Sequence, residues 1–204
     1  MTLETDSAAV RKSALRIAAL ARRDALEIDD RLEWDQAICR RTLTLLGELL
    51  GSHPERAAGG EAAETLVSAY WPMRSEADPR PILEALHAQG VALCLPAIVD
   101  KAMLFRRWAP WEPIVPGGFG TLVPEPHQPE CRPTVLLVPL AAFDRRGCRI
   151  GYGKGYYDAA LTALGDVTAI GIAYAAQEVA AVPDEAHDRR LGFVVTERET
   201  IGFS

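Results

Sequence analysis

The sequence predicts an α/β fold: a single domain with a mixed, largely parallel sheet flanked by helices, and two helices leading the chain. Three observations carry that prediction. Short apolar runs with several β-branched residues recur from residue 66 onward. Helical segments fit between several of these runs, and alternating strand and helix implies a parallel layer. Two long segments with helical periodicity precede the first run.

In chain order, the first helix is expected over residues 8–28. Val10, Ala14, Ile17, Ala18, Ala21 and Ala25 recur at helical spacing, and Ser7 stands where an N-cap is expected. A second helix is expected over 31–50, with Trp34, Ile38, Leu45 and Leu49 on its apolar side. Residues 51–64, rich in Gly, Ala and Glu, read as a flexible loop without chemistry. Buried strands are expected at 66–71, 91–95, 134–138, 168–173 and 193–196, with a further strand, at an edge, over 103–108. Helices fit at 81–89 and 156–164. Residues 109–133 carry Pro110, Pro113, Pro116, Pro124, Pro126, Pro129 and Pro133, which excludes a central strand or a long helix. A structured loop over one end of the sheet is expected there, either for ligand binding or as a plain connection. No internal repeat divides the chain, so residues 1–204 read as one domain.

Composition narrows the function classes. Hydrophobic residues make up 49% and charged residues 25% of 204, which suits a globular chain rather than a disordered one. Twenty-two basic against 28 acidic residues give a net charge of −6, a poor match to the phosphate backbone of nucleic acid. That balance leaves room for a small anionic ligand at a local cluster of cations. No run is long and apolar enough for a membrane span, and residues 1–10 carry Glu4 and Asp6 without an apolar stretch. A cytoplasmic location is therefore expected. Cys39, Cys94, Cys131 and Cys148 form no CxxC pair and the four histidines form no HExxH, so neither disulfides nor a transition-metal site are expected.

The densest signal is DRRGCRIGYGKGYYD, residues 144–158. It follows an apolar run and precedes a helical segment. Gly151, Gly153 and Gly155 let the backbone approach a ligand closely, and their amides suit an anion just before a helix N-terminus. Lys154 and Arg149 add full positive charge, and Asp158 offers a hard oxygen suited to Mg²⁺ beside a phosphate. Neither a Walker A loop nor the dinucleotide fingerprint is present, and a structural turn is the alternative. Lys12 and Arg16 lie four apart on one helix face, with Arg23 seven further on. A polyanion would relieve their repulsion, and a solvated basic face is the alternative. Glu76, just past a predicted strand end, suits hydrogen bonds from a heterocycle or simple exposure. Asp188 suits a second carboxylate near Mg²⁺ or a turn. Trp71, Tyr152, Tyr156 and Tyr157 suit stacking on a flat ring, or core packing.

Together these residues resemble the 5-formyltetrahydrofolate cyclo-ligase family, also called the 5,10-methenyltetrahydrofolate synthetases. The resemblance runs over residues 11–197. It rests chiefly on VPLAAFD at 138–144, Gly147 and RIGYGKGYYD at 149–158, supported by Lys12 with Arg16, the segment ending in Glu76, PEP at 124–126, AYAAQ at 173–177, VP at 182–183 and His187-Asp188. It implies one α/β domain and an ATP- and Mg²⁺-dependent cyclisation of 5-formyltetrahydrofolate to 5,10-methenyltetrahydrofolate, with release of ADP and phosphate. It further implies that Lys12 and Arg16 contact ATP phosphates and that Arg149, Gly151, Tyr152, Gly153, Lys154, Gly155, Tyr156 and Tyr157 form the nucleotide loop. Arg16 and the loop from Tyr152 to Tyr156 also border the folate, with Trp71 and Glu76 at substrate-contacting positions. Asp158 and Asp188 are the implied Mg²⁺ ligands. Many members place an aromatic residue near the position of Thr121 to contact the pterin, and here the nearest is Phe119. Chemically, phosphorylating the formyl oxygen would make the amide carbon an electrophile for N10. Such a step needs positioning and charge neutralisation by Lys154 and Arg149, and no protein nucleophile. A monomer acting on a small-molecule substrate is expected. Another ATP-using phosphotransferase, a non-catalytic nucleotide- or folate-binding module, and a sugar-phosphate isomerase are the competing classes.

Overall fold

The computed structural model describes residues 7–51, 65–185 and 188–203. Two helices open it, α1 (Ala8–Asp24) and α2 (Ile28–Gly51). The Ser7 hydroxyl accepts from the Val10 N–H at 3.3 Å and so caps α1, an interaction worth about 1 kcal/mol. Then come β1 (Leu66–Ser68), α3 (Arg80–Ala88), β2 (Ala92–Val99) and β3 (Ala102–Arg107). Short strands follow: β4 (Ile114–Pro116), β5 (Leu122–Pro124) and β6 (Glu130–Cys131). The second half holds β7 (Val135–Pro139), β8 (Ala142–Phe143), β9 (Arg149–Ile150), α4 (Tyr156–Leu164), β10 (Thr168–Ile172), β11 (Phe193–Val195) and β12 (Thr200–Gly202).

Eight strands form one sheet in the order β12-β11-β10-β7-β1-β2-β3-β6. The pairings from β11 through to β2 are parallel, and the outer ones are antiparallel. This is the predicted mixed sheet. The parallel strands are covered on both faces, which is why β7 reads as an unbroken apolar run and is buried along its whole length. One face packs Ile38, Leu45 and Leu46 of α2 and Ile82, Leu83 and Leu86 of α3 against the sheet. The other packs Ala160 and Leu161 of α4 against Leu136, Val138, Leu140 and Phe143. A smaller third cluster seats α1, where Ala19 meets Ala141, Ala142, Cys148, Ile150 and Val182. No helix among the described residues is long and apolar enough to cross a membrane.

Several expectations need correction. The first helix ends at Asp24 and the second begins at Ile28, because the break at 25–27 falls inside the predicted first helix. For α1 the spacing leaves open which face docks, and the resemblance implies the basic one. Val10 and Ile17 of its apolar stripe are 51% and 68% exposed, while the cationic stripe with Leu15, Ala19 and Leu20 faces the protein. Gly51 belongs to α2 rather than to a loop, and residues 52–64 of the expected flexible loop lie outside the described residues. The proline-rich segment holds a β4–β5 hairpin and adds β6 to the sheet edge, so the strand at 102–107 stands one place inside that edge. The antiparallel β8–β9 pair and β12 had no sequence signal, being two or three residues long.

Candidate active site

Sequence-adjacent strands diverge between β1 and β7: from β1 the chain proceeds outward to β2, and from β7 it proceeds the other way to β10 and β11. Open α/β sheets leave a crevice at the carboxyl ends of strands at such a point. Here the crevice is a cavity of about 490 Å³. Of the candidate residues, Lys12, Arg16, Trp71, Glu76, Arg149, Gly151, Tyr152, Gly153, Lys154, Gly155, Tyr156, Tyr157, Asp158 and Asp188 line it, whereas Arg23 does not.

The glycine loop forms one wall. Gly153 and Gly155 have φ of +88° and +69°, a left-handed backbone that disfavours any side chain. A Cβ on Gly153 would approach the Arg16 guanidinium to 3.3 Å, so Arg16 and the loop are in close contact. The Arg16 Nε donates to the Gly151 carbonyl at 2.7 Å. Gly155 leads directly into α4, whose first turn has no side-chain cap and carries Asp158. Space near Gly151 and Gly155 is open, since an added Cβ would meet nothing within 4 Å.

The charged residues pair within the protein. The Lys12 ammonium donates to Asp188 at 2.6 Å and to Glu185 at 2.8 Å. Burial opposes its charge, but these two bonds outweigh burial and hold its pKa above the usual lysine value. Arg149, only 9% exposed, donates to Asp158 at 2.8 Å and to the Arg189 carbonyl. Lys154 differs: its ammonium lies over the Phe119 ring, 5.5 Å from the centroid.

The remaining lining is less charged. Glu76 is 8% exposed and accepts from the Met73 N–H at 2.8 Å and from the Tyr152 hydroxyl. Burial raises its pKa, against those hydrogen bonds and Arg23. Burial also raises Tyr152 and Tyr157, which therefore remain neutral phenols. Trp71 is held edge-on by Trp108 at 6.0 Å, with the Arg80 guanidinium 5.5 Å from its ring. Phe119 and Tyr156 sit 5.9 Å apart, so Phe119 brings the proline-rich segment to the cavity beside Thr121.

Several residues of the site had no sequence signal. Pro96, Ile98 and Met103 of the β2–β3 pair add an apolar wall, and apolar strand residues look alike whether they face a core or a ligand. Glu185 completes the Lys12 clasp, yet lay in a stretch that read as a turn. Arg23 was visible only as the far end of the basic stripe; it is 2% exposed and bonded to Tyr152.

Comparison with known proteins gives the family of the sequence and the fold. Residues 8–197 match the model of the 5-formyltetrahydrofolate cyclo-ligase family. A 5-formyltetrahydrofolate cyclo-ligase of Haemophilus influenzae is 29% identical over 131 residues, 60% of this chain and 70% of that protein. One of Mycolicibacterium smegmatis is 30% identical over 145 residues, 66% of this chain and 75% of that protein. The solved 5,10-methenyltetrahydrofolate synthetase of Aquifex aeolicus superposes with a TM-score of 0.73 at 27% identity, covering 94% of this chain and 92% of that one. With sequence and fold in agreement over nearly its whole length, the chain belongs to the 5-formyltetrahydrofolate cyclo-ligase family.

Proposed function

We propose that this protein converts 5-formyltetrahydrofolate to 5,10-methenyltetrahydrofolate with consumption of ATP and participation of Mg²⁺. The observation that carries this is the mixed lining of one cavity. Lys12, Arg16, Arg149 and Lys154 line it with the glycine loop, and so do Glu76, Trp71 and the apolar residues of β2 and β3. A phosphate chain suits the cations and the loop, and a flat heterocycle with N–H donors suits Glu76 and the apolar and aromatic lining.

The donor set suits both missing groups. Gly153 and Gly155 give the backbone the left-handed turns of an amide cradle, and the open space beside Gly151 and Gly155 is what a phosphate group requires. Asp158 and Asp188 are hard oxygen donors on the same cavity wall and would hold Mg²⁺. When bound, ATP and Mg²⁺ supply an activated phosphoryl group to the formyl oxygen, turning it into a leaving group.

The residues of the chain then have separable tasks. Lys154 and Arg16 neutralise phosphate charge, and the amides from Gly151 to Gly155 orient it. Arg149 adds charge from a buried, fixed position. Lys12 carries two carboxylate bonds that a phosphate oxygen competes with. Glu76 accepts hydrogen bonds from the heterocycle, and Trp71 and Phe119 confine its ring. Tyr152 through Tyr156 border both ligands, so folate and nucleotide meet at the loop. Nothing in this scheme needs a protein nucleophile. We further assign the whole chain to one domain that acts as a cytoplasmic monomer.

An absorbance assay for the methenyl product, with ATP, Mg²⁺ and 5-formyltetrahydrofolate, tests the activity. Product that depends on all three is expected. Folded protein that makes no product, or makes it without ATP, overturns the assignment, and turnover of ATP without folate favours another phosphotransferase.

A further inference from the structure

Resting on the assignment of Glu76 and Tyr152 to folate contact, we infer that Arg23 is a positioning residue: it fixes the Tyr152 hydroxyl, and through it the Glu76 carboxylate, for the folate ring. Arg23 lies on the same face of α1 as Lys12 and Arg16, but it does not line the cavity. It is 2% exposed. Its Nε donates to the Ser75 hydroxyl at 3.0 Å and its Nη1 donates to the Tyr152 hydroxyl at 2.7 Å. The Ser75 hydroxyl donates in turn to the Asp24 carboxylate, and the Tyr152 hydroxyl donates to the Glu76 carboxylate. One guanidinium thus spans the N-terminal helix, the 73–76 turn and the glycine loop.

The direction of these bonds matters. A guanidinium only donates, so the Tyr152 oxygen must accept from Arg23, and its O–H is left to donate to Glu76. Tyr152 also stays neutral, because burial and the nearby Glu76 charge disfavour its phenolate. The proton order along the chain is therefore fixed. Glu76 has Oε1 engaged by Tyr152 and Oε2 by the Met73 N–H, which orients both oxygens and leaves lone pairs for the donors of a ligand. An apolar side chain at position 23 would seat the helix without a buried charge, so packing alone does not account for arginine here.

Four side chains face Glu76 electrostatically: Arg23 of α1, Tyr152 of the loop, Tyr70 after β1 and Tyr157 of α4. Of these only Arg23 is a cation. Its loss leaves the carboxylate buried against three phenols, and an ionised Glu76 then requires a higher pH.

The test is steady-state kinetics of the full chain, with Arg23→Gln, Arg23→Lys and Tyr152→Phe read beside the wild type and their melting temperatures. Arg23→Gln is expected to raise the KM for 5-formyltetrahydrofolate about tenfold, with the KM for ATP within about twofold. It is also expected to move the acid limb of kcat/KM for the folate to higher pH. Arg23→Lys keeps the charge and recovers part of the loss. In a Glu76→Gln background, Arg23→Gln is expected to change the folate KM by less than about twofold, because both act through one carboxylate. A folded Arg23→Gln protein with an unchanged folate KM overturns the assignment of Arg23, as do equal rises in both KM values or full additivity with Glu76→Gln. Should Arg23→Gln fail to fold, Tyr152→Phe must show the same split between the two substrates, and its absence overturns the assignment equally. An inactive wild type overturns the enzymatic assignment itself, whereas an active wild type with an indifferent Arg23 overturns only the role of Arg23.

Discussion

Lys154 is in a different electrostatic position from the other cations of the cavity. Lys12 holds two carboxylates, Arg149 holds Asp158, and Arg16 is tied to the Gly151 carbonyl. Lys154 is exposed, and its ammonium lies over the Phe119 ring. A contact of that kind contributes about 0.5–1 kcal/mol at an exposed site. Replacing Lys154 by Ala should therefore lower methenyl product formation by about a hundredfold. Its melting temperature should move by no more than a few degrees, since a change of about 1 kcal/mol shifts the midpoint of a chain this size by roughly 2–4 °C. A rate within about twofold of wild type would remove Lys154 from the reaction. This residue was legible because two glycines flank it in the sequence. Arg23 was not: a cation in a helical stripe reads the same whether it meets water or a tyrosine hydroxyl, and only the tertiary contact separates the two.

Among the elements, the β8–β9 turn and the strand β10 show two kinds of constraint. Asp144 ends the pairing of β8, and its side chain is 1% exposed. It accepts from the Val182 N–H at 2.8 Å, from the Arg146 N–H at 2.9 Å and from the Arg146 guanidinium at 2.8 Å. Burial pushes its pKa up, but these donors outweigh burial and hold it below the usual carboxylate value. Its contribution to stability is thus complete above the unfolded-state value of about 4 and is lost as pH falls through the lower folded-state value. Asp144→Asn should cost about 2–4 kcal/mol at neutral pH and flatten the acid limb of stability, as measured by urea unfolding between pH 3 and 7. An unchanged acid limb would show that other carboxylates control it. Gly171 in β10 is constrained by space instead. A Cβ there would lie 2.7 Å from Leu191 and 2.8 Å from Leu140. Gly171→Ala should destabilise the fold by about 1–3 kcal/mol in the same unfolding experiment, and a neutral result would mean those leucines repack freely. The strands that were legible are the long apolar ones. The two-residue β6, β8 and β9 were not, because pairing and not pattern defines them.

At the scale of the molecule, the strand order explains why residues so far apart in sequence share one cavity. Glu76 follows β1, the glycine loop follows the β8–β9 pair beyond β7, and β1 pairs β7. The alternation of strands and helices was enough to predict such a layer, and the glycine loop was enough to locate one wall. The orientation of α1 was implied by the resemblance that puts Lys12 and Arg16 at a ligand, but its apolar pattern did not show it. Its alanine-rich stripe is the more apolar one, yet the cationic side is turned inward because it has carboxylates, a carbonyl and a phenol to meet there.

That docking by the cationic side sets how firmly α1 is held. The apolar cluster beneath it is small and built largely of alanine, so hydrophobic burial fixes it weakly compared with α2 or α3. Much of its attachment is by charge-assisted bonds, whose surface-exposed members weaken with salt. The helix should accordingly be an independently opening unit, with amide protons that exchange faster than those of the sheet. A bound polyanion adds partners for Lys12 and Arg16 and should slow that exchange in α1 while leaving β7 unchanged, as deuterium uptake with and without ATP and Mg²⁺ would record. Equal protection of α1 and β7 without ligand would show a helix already locked. The same docking that supplies cations to the cavity thus makes ligand occupancy a clamp on the amino-terminal end of the chain.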